Sequence, residues 1–203
     1  METIQKESDS FDESQSIKVI REMIQVSQKR IKSDGILFIL WGWFMFYNYL
    51  SNFILGQIVY THQIKITLNY VGYALAVLTI GYTVYYLIKQ HSKVQTYIGI
   101  SLRYVWISLI VCFSLTNMII FNVNHQINFE LQHPIFMMFI AFATVITGGI
   151  IRYRLVIFGG IIFGLLAYAS SFFKLNQQFL LEAIAWLVAF VIPGHIMYLK
   201  RKV

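Results

Sequence analysis

The sequence is poor in the side chains that catalysis, metal binding and cross-linking use. It has one cysteine, Cys112, which excludes a disulfide framework and a cysteine-based zinc site. Of its nine acidic residues only Glu130 and Glu182 follow Asp34, so acid–base chemistry within a membrane has almost no carboxylates to use. The motifs of P-loop proteins, serine hydrolases and zinc proteases are absent. We therefore predict a protein that is not an enzyme, holds no cofactor and is not a typical proton-coupled pump.

Charge is scarce as well. Charged residues make up 12% of the 203 residues, whereas soluble proteins average about 25%, and apolar residues make up 58%. A soluble chain of this length could not bury so much apolar surface, so the composition predicts an integral membrane protein. The polar start and the long first apolar run do not fit a cleaved signal peptide, which predicts insertion through an uncleaved first helix.

Two apolar runs, residues 135–151 and 155–173, organise the chain. They are joined only by Arg152, Tyr153 and Arg154. As helices the runs are about 25–29 Å long, close to the ~30 Å hydrocarbon thickness of a bilayer, and three residues allow the second helix only to turn back on the first. The pattern predicts a transmembrane hairpin, and the two arginines predict that its turn is cytoplasmic.

The remaining runs predict an all-α integral membrane protein with a six-transmembrane-helix bundle. An acidic tail, residues 1–13, precedes an amphipathic segment, residues 14–34, and a transmembrane domain, residues 35–203. Fourteen of the 16 lysines and arginines fall on the side of both termini, and only Lys65 and Lys174 fall on the other. This bias predicts that both termini are cytoplasmic. The predicted spans are residues 36–55, 67–88, 104–121, 135–151, 155–173 and 179–199.

The amphipathic segment is a candidate surface for lipid or partner docking. On a helical wheel its apolar and its basic residues separate onto opposite halves. Such a helix lies on anionic lipid headgroups, or it docks on the cytoplasmic ends of the bundle or on its own copy in a dimer; these alternatives stay open, and each is favoured over nucleic-acid binding. The residues expected at this membrane or docking surface are Lys18, Ile20, Arg21, Ile24, Lys29 and Lys32, together with Arg152 and Arg154 of the hairpin turn.

Four segments resemble, in the same order, those of a known family. They read IKSDGILFILWGWFMF, KVQTYIGISLRYVWI, TGGIIRYRLVIFGG and VIPGHIMYLKRK, and the likeness covers nearly the whole chain from about Ser14. The chain resembles an uncharacterised Bacteroidetes family of small six-span inner-membrane proteins. The resemblance implies a bacterial inner-membrane location and a six-span fold, and it implies no catalytic residue.

Two groups of polar residues are candidates for ligand binding or gating. Pro193 predicts a kink near the cytoplasmic end of the last span, and His195 beside it is an ionisable group at membrane depth. A neutral histidine bonded to a carbonyl that Pro193 frees is the favoured interpretation, and proton sensing or gating is the alternative. Asn48, Asn52, Asn69 and Asn117 form interhelical hydrogen bonds in the favoured interpretation and line a polar path in the other.

The longest outer loop, residues 122–134, contains His125, Glu130 and His133. Imidazole and carboxylate groups bind zinc and other transition metals, but such sites use three or four converging ligands and this spacing is not a known motif. A solvated loop is favoured, so no metal is predicted. Glu182, at the outer start of the last span, is expected at the level of the lipid headgroups. The alternative, a buried carboxylate in proton coupling, needs a deeper position than the sequence suggests.

Glycines crowd both sides of the hairpin turn. Small residues let helix backbones approach closely in lipid, where association depends on packing. We predict that these glycines pack the hairpin against itself, which is favoured over a dimer interface. They are Gly148, Gly149, Gly159, Gly160 and Gly164.

These observations leave two functional hypotheses. The first is a non-enzymatic sensor, regulatory or partner-binding membrane protein that uses the amphipathic segment as its cytoplasmic output. The second is a small transporter or channel for a neutral or lipophilic solute. The expected partners are the lipid bilayer with its anionic headgroups, and a protein partner or a second copy of the chain; nucleic acid is not expected.

Overall fold

A computed structural model describes residues 15–19, 21–22, 35–57, 62–91 and 97–200, with the side chains of residues 90, 91 and 97 excepted. Within these residues the chain forms helices and no strand. The elements are α1 (Ile36–Gln57), α2 (His62–His91), α3 (Tyr97–Asn124), α4 (Phe129–Ile151), α5 (Arg154–Ser170), α6 (Leu175–Trp186), a π-helical segment (Leu187–Val191) and α7 (Ile192–Leu199). The helix α6, the π-helical segment and α7 follow one another without a break and form one continuous rod.

Only part of the amphipathic segment is described. Residues 15–19 and 21–22 are helical, and their side chains, including Lys18 and Arg21, are exposed. Ile17 is 66% exposed, so the apolar face of this short stretch is not covered by the rest of the described chain. The acidic tail lies outside the described residues, as do the docking candidates Ile20, Ile24, Lys29 and Lys32.

Four helical stretches are long and apolar enough to cross a membrane: His62–Lys89, Ile98–Asn124, Phe129–Ile151 and Leu175–Leu199. The all-α prediction is therefore confirmed in the described residues, with four helical stretches that could cross a membrane. The helix α5 is apolar but only 17 residues long. The helix α1 has 22 residues but carries several polar side chains in its second half, and it is not among the four.

Most helices extend beyond the predicted spans: α3 begins seven residues before its span and α4 six, whereas α5 ends three residues short of its span. The side chain of Asn128 accepts a hydrogen bond from the backbone N–H of Leu131 at 3.1 Å, which caps α4 six residues before the predicted span begins. Pro134 then lies inside the helix and has no N–H to donate to the carbonyl of Glu130. Gln178 of α6 donates to that carbonyl at 3.0 Å. Much of the segment predicted as a loop, residues 122–134, is therefore helical, and the start of α4 within it is hydrogen-bonded to α6.

The centre of the molecule is formed by α1, α4, α5 and the continuous rod from α6 to α7. The pairing of α4 with α5 is the most extensive, and α1 packs along α6, the π-helical segment and α7. Met137, Phe163, Trp186 and Phe190 form the middle of the largest buried cluster. The helix α2 packs mainly on α1, and α3 packs mainly on α4, so these two helices flank the centre.

The predicted hairpin of α4 and α5 turns through a left-handed residue. Arg152 ends α4 with φ 56° and ψ 47°, and its N–H reaches the carbonyls of Gly148 and Gly149. The N–H of Tyr153 donates to the carbonyl of Gly148 at 2.9 Å. These bonds satisfy carbonyls that a helix end otherwise leaves free, which allows the chain to reverse within three residues.

Four of the five glycines predicted to pack the hairpin lie against a neighbouring helix, and Gly149 does not. A methyl group on Gly148 would lie 2.8 Å from the backbone nitrogen of Ile157, so α4 and α5 touch closely there. On Gly149 it would meet nothing within 4 Å, because that residue faces outward. The glycines with a neighbour are Gly148, Gly160 and Gly164 within the hairpin, and Gly159, which lies against Ala189 of the π-helical segment instead.

The flanking helices expose most of their apolar surface. Only 11% of the most apolar window of α2 or of α3 is buried, compared with 50% for α4 and for the rod from α6 to α7. Val77 on α2 and Met118 on α3 are 71% and 68% exposed. Lipid tails can cover such surfaces without cost, so this distribution is typical of helices at the lipid-facing outside of a membrane-spanning bundle.

Candidate functional site

A polar groove lies between α1 and α2, and we call it the α1–α2 groove. Its volume is about 280 Å³. Two interhelical hydrogen bonds hold the helices together: Trp41 Nε1 donates to Thr83 Oγ1 at 3.1 Å, and the Tyr47 hydroxyl donates to the carbonyl of Leu68 at 3.0 Å. The groove is lined by Phe44, Asn48, Ser51, Asn52, Leu68, Asn69, Gly72, Tyr73 and Ala76.

The asparagines of α1 bond to their own helix. Asn48 Nδ2 donates to the carbonyl of Phe44 at 2.9 Å, and Asn52 Nδ2 donates to the carbonyl of Asn48 at 2.8 Å. The favoured interpretation of these two residues as interhelical hydrogen bonds is therefore corrected: a side chain this short reaches the carbonyl four residues back more easily than a neighbouring helix. The bonds use the amide nitrogens and leave both Oδ1 atoms without a donor among the described residues. These acceptors can bind a hydrogen-bond donor that enters the groove.

Asn117 does not belong to this groove. It lies on α3, which packs mainly on α4 and not on α1 or α2. The structure thus brings Asn48 and Asn52 together with Asn69 and separates them from Asn117. A polar path that includes all the predicted asparagines is not formed.

A second polar site lies inside the bundle. Glu182 of α6, which the sequence predicts at headgroup level, is 0% exposed within the described part of the chain. Its Oε2 atom is 2.8 Å from Nδ1 of His133 on α4. The spacing of the two residues, 49 positions apart, gives no local signal of this contact. Only the folding of α6 against the extended start of α4 brings them together.

Aromatic rings enclose the His133–Glu182 pair. The ring of Phe179 meets the imidazole edge to face with 5.1 Å between centroids, and Tyr49 of α1 meets it at 6.0 Å. The Tyr49 hydroxyl and the indole N–H of Trp186 also face the carboxylate. Neither Oε1 of Glu182 nor Nε1 of Trp186 has a hydrogen bond of ordinary geometry. The carboxylate therefore depends on one imidazole for its close partner.

The three candidate metal ligands of the outer loop, His125, Glu130 and His133, do not converge on one point. His133 bonds to Glu182, whereas Glu130 Oε1 accepts a hydrogen bond from the backbone of Leu175 at 3.5 Å. His125 lies in the connection after α3, with a positive φ of 53°. Across the described part of the chain, no three His, Cys, Asp or Glu side chains come together in a way that could hold a metal ion. The arrangement follows from the start of α4 at Phe129, which puts Glu130 and His133 on the helix and leaves His125 outside it.

The candidates Pro193 and His195 lie just after the π-helical segment. The N–H of Ile192 donates to the carbonyl of Leu187, five residues back, because Pro193 interrupts the ordinary ladder. His195 is exposed, its Nδ1 lies 2.8 Å from the carbonyl of Val191, and its ring meets Trp43 edge to face. The bonded carbonyl is thus two residues before the proline. Where the sequence predicts a kink, the structure has a π-helical turn.

The arginines of the hairpin turn, Arg152 and Arg154, are both exposed. They lie at the end of the bundle opposite to the His133–Glu182 pair, because α4 runs from one end to the other. Lys200 follows α7 at the same end and is also exposed. No protein-family model, curated protein or solved structure matches this chain.

Proposed function

We propose that this chain is a non-enzymatic, multi-span membrane protein that binds a small neutral molecule in the α1–α2 groove. The observation that carries the proposal is the lining of the groove, where Asn48, Asn52 and Asn69 present amides beside apolar and aromatic side chains. None of the lining residues is acidic or basic. Because amides both donate and accept hydrogen bonds, such a groove favours an uncharged molecule with a few polar groups.

The proposal includes the finer topology. We infer six spans, with α1 and α5 added to the four longer apolar stretches, and both termini in the cytoplasm. The supporting observations are the excess of lysine and arginine on the side of both termini and the tight pairing of α5 with α4. The resemblance to small six-span proteins of Bacteroidetes favours the bacterial inner membrane as the location.

A sensor or regulatory role uses the position of α1. Gly35 directly precedes α1 and directly follows the amphipathic segment, residues 14–34, in the sequence, so a movement of this helix would be passed to that segment. Ligand binding in the α1–α2 groove would then change how that segment contacts anionic lipid or a protein partner. A transporter for a neutral solute is the second candidate, which the same uncharged lining favours.

Photo-crosslinking tests the groove. A photoreactive amino acid in place of Tyr73, which lines the groove, is expected to capture a small neutral molecule in native membranes, detected as a discrete mass increase of the purified protein. Adding Asn48→Leu should reduce this capture about tenfold, the effect of losing about 1.4 kcal/mol of hydrogen bonding. The photoreactive residue at Tyr104 of α3 is the matched control, because Tyr73 and Tyr104 are 68% and 69% exposed. Equal capture of the same molecule at both positions would contradict a specific groove.

A pull-down from native membranes in mild detergent separates the two roles. If the protein is a sensor, Ile20→Asp should abolish binding of a protein partner, because it puts a charge on the apolar half of the amphipathic segment. Gln25→Asp adds the same charge on the polar half and should leave the partner bound. If the protein is a transporter, neither Ile20→Asp nor Gln25→Asp should change the rate of solute transport across the membrane, measured separately, and Asn48→Leu should lower that rate. Loss of the partner with Gln25→Asp but not with Ile20→Asp would contradict the proposed docking face.

A further inference from the structure

We propose that His133 and Glu182 form a proton-binding site inside the bundle. The two side chains come from different helices, α4 and α6, and are held at 2.8 Å. The Glu182 side chain is 1% exposed and the His133 side chain is 17% exposed. The site stands on these two helices and does not depend on what the α1–α2 groove binds.

The His133–Glu182 pair is a proton-binding site and not only a structural contact, because its net charge depends on the number of protons that it holds. With one shared proton the pair is neutral overall, whether as imidazolium with carboxylate or as imidazole with carboxylic acid. Removing that proton leaves a buried carboxylate without a counter-charge, and adding a second leaves a buried imidazolium without one. Either change puts a net charge in a low-dielectric environment and is costly. The one-proton state of the pair is therefore the favoured one.

Among the residues that the structure describes, no other charged group faces the pair. From α1 the only titratable group facing the carboxylate is Tyr49. From α4 come His133 and, one turn earlier, Glu130, which is exposed and turned toward Leu175. The titratable residues of α5, Arg154 and Tyr168, are exposed. The net charge of the pair is therefore set by the protons on His133 and Glu182 alone. Oε1 of Glu182 has no hydrogen-bond donor of ordinary geometry.

His133 gives the proton a route to the site. Its imidazole is the partly exposed member of the pair, and it lies five residues after Asn128, which caps the start of α4. A proton can enter through the imidazole and pass along the 2.8 Å contact to the carboxylate. Imidazole suits this transfer because one ring nitrogen can accept a proton while the other donates one.

Occupancy of the site is coupled to two neighbouring elements. Tyr49 on α1 faces the carboxylate and is adjacent to Asn48 of the α1–α2 groove. Trp186 on α6 also faces it and directly precedes the π-helical segment. A change in the charge of the pair therefore acts directly on α1 and on the least regular part of the last rod.

Infrared difference spectroscopy between acidic and alkaline pH tests the proposal on the full chain in phosphatidylglycerol–phosphatidylethanolamine vesicles. The wild type should show the carbonyl band of a buried protonated carboxyl group, and Glu182→Gln should remove it while preserving the amide contact to His133. Glu130→Gln, the exposed carboxylate one turn from His133, is the control and should keep the band. A band that survives in Glu182→Gln would overturn the proposal.

A second variant keeps the test informative if Glu182→Gln does not fold. His133→Gln removes the counter-charge of the carboxylate, so the pH at which the band appears should rise by about one to three units. Tyr49→Phe should give a smaller shift. If His133→Gln leaves the midpoint of the band unchanged, the two residues do not bind the proton as a pair and the proposal fails.

Discussion

Replacing Phe163 by alanine should lower the free energy of unfolding by about 3–5 kcal/mol, the usual range for truncating a fully buried aromatic residue. Phe163 is 0% exposed on α5. Its ring meets the rings of Trp186 and Phe190 edge to face, with centroid distances of 5.6 and 6.3 Å. The substitution would leave a cavity where α5 packs on the last rod, and lipid tails cannot fill a closed void between helices.

The measurement is reversible unfolding of the purified protein in mixed micelles, followed by circular dichroism. Phe142→Ala is the matched control on α4, because Phe142 is 68% exposed and has the same chemistry. Its expected effect is within about 0.5 kcal/mol. Similar losses for Phe163→Ala and Phe142→Ala would mean that the packing around Phe163 is not the source of stability.

The adjacent glycines of the hairpin should respond to the same substitution with opposite signs. Gly148→Ala places a methyl group 2.8 Å from the backbone nitrogen of Ile157, so it should separate α4 from α5 and lower the free energy of unfolding by about 1–3 kcal/mol. Gly149→Ala meets nothing within 4 Å, so only the gain in helix propensity remains. That change should raise the free energy of unfolding by about 0.5–1 kcal/mol.

The two glycine variants control for each other, because they differ by one position in the same helix. Thermal unfolding in detergent, measured side by side, reports the sign of each effect. Two destabilised variants would show that a second chain covers Gly149, which would favour a dimer through the hairpin. Two stabilised variants would show that the close approach at Gly148 relaxes without cost.

Much of the architecture follows from the sequence because it depends on length and hydropathy. The hairpin could be predicted from two apolar runs and a link of only Arg152, Tyr153 and Arg154, since so short a link leaves one geometry. The helix ends were harder, because helices continue beyond the apolar core where caps allow it. Asn128, for example, caps the start of α4 within the stretch that the sequence predicts to be a loop.

The polar sites were less predictable because they depend on which helices meet. Glu182 and His133 are 49 residues apart, and the sequence predicts Glu182 at headgroup level and His133 in a solvated outer loop. Their burial follows from the fastening of α6 to α4 by Gln178, which no local pattern indicates. The groove was anticipated in part, since Asn48 and Asn52 share one face of α1, but its α2 side and the separation of Asn117 required the packed helices.

The π-helical segment also sets the rotation of everything that follows it. A π turn holds one residue more than an α turn, and each residue of an α-helix turns the chain by about 100°, so α7 is rotated by about that angle relative to an uninterrupted α-helix. In this rotated setting Gly194 faces α1, where an added methyl group would lie 2.9 Å from the backbone nitrogen of Ile39. His195 faces outward. Deleting a single residue between Leu187 and Val191 would turn α7 back and replace its small contact face by a bulkier one.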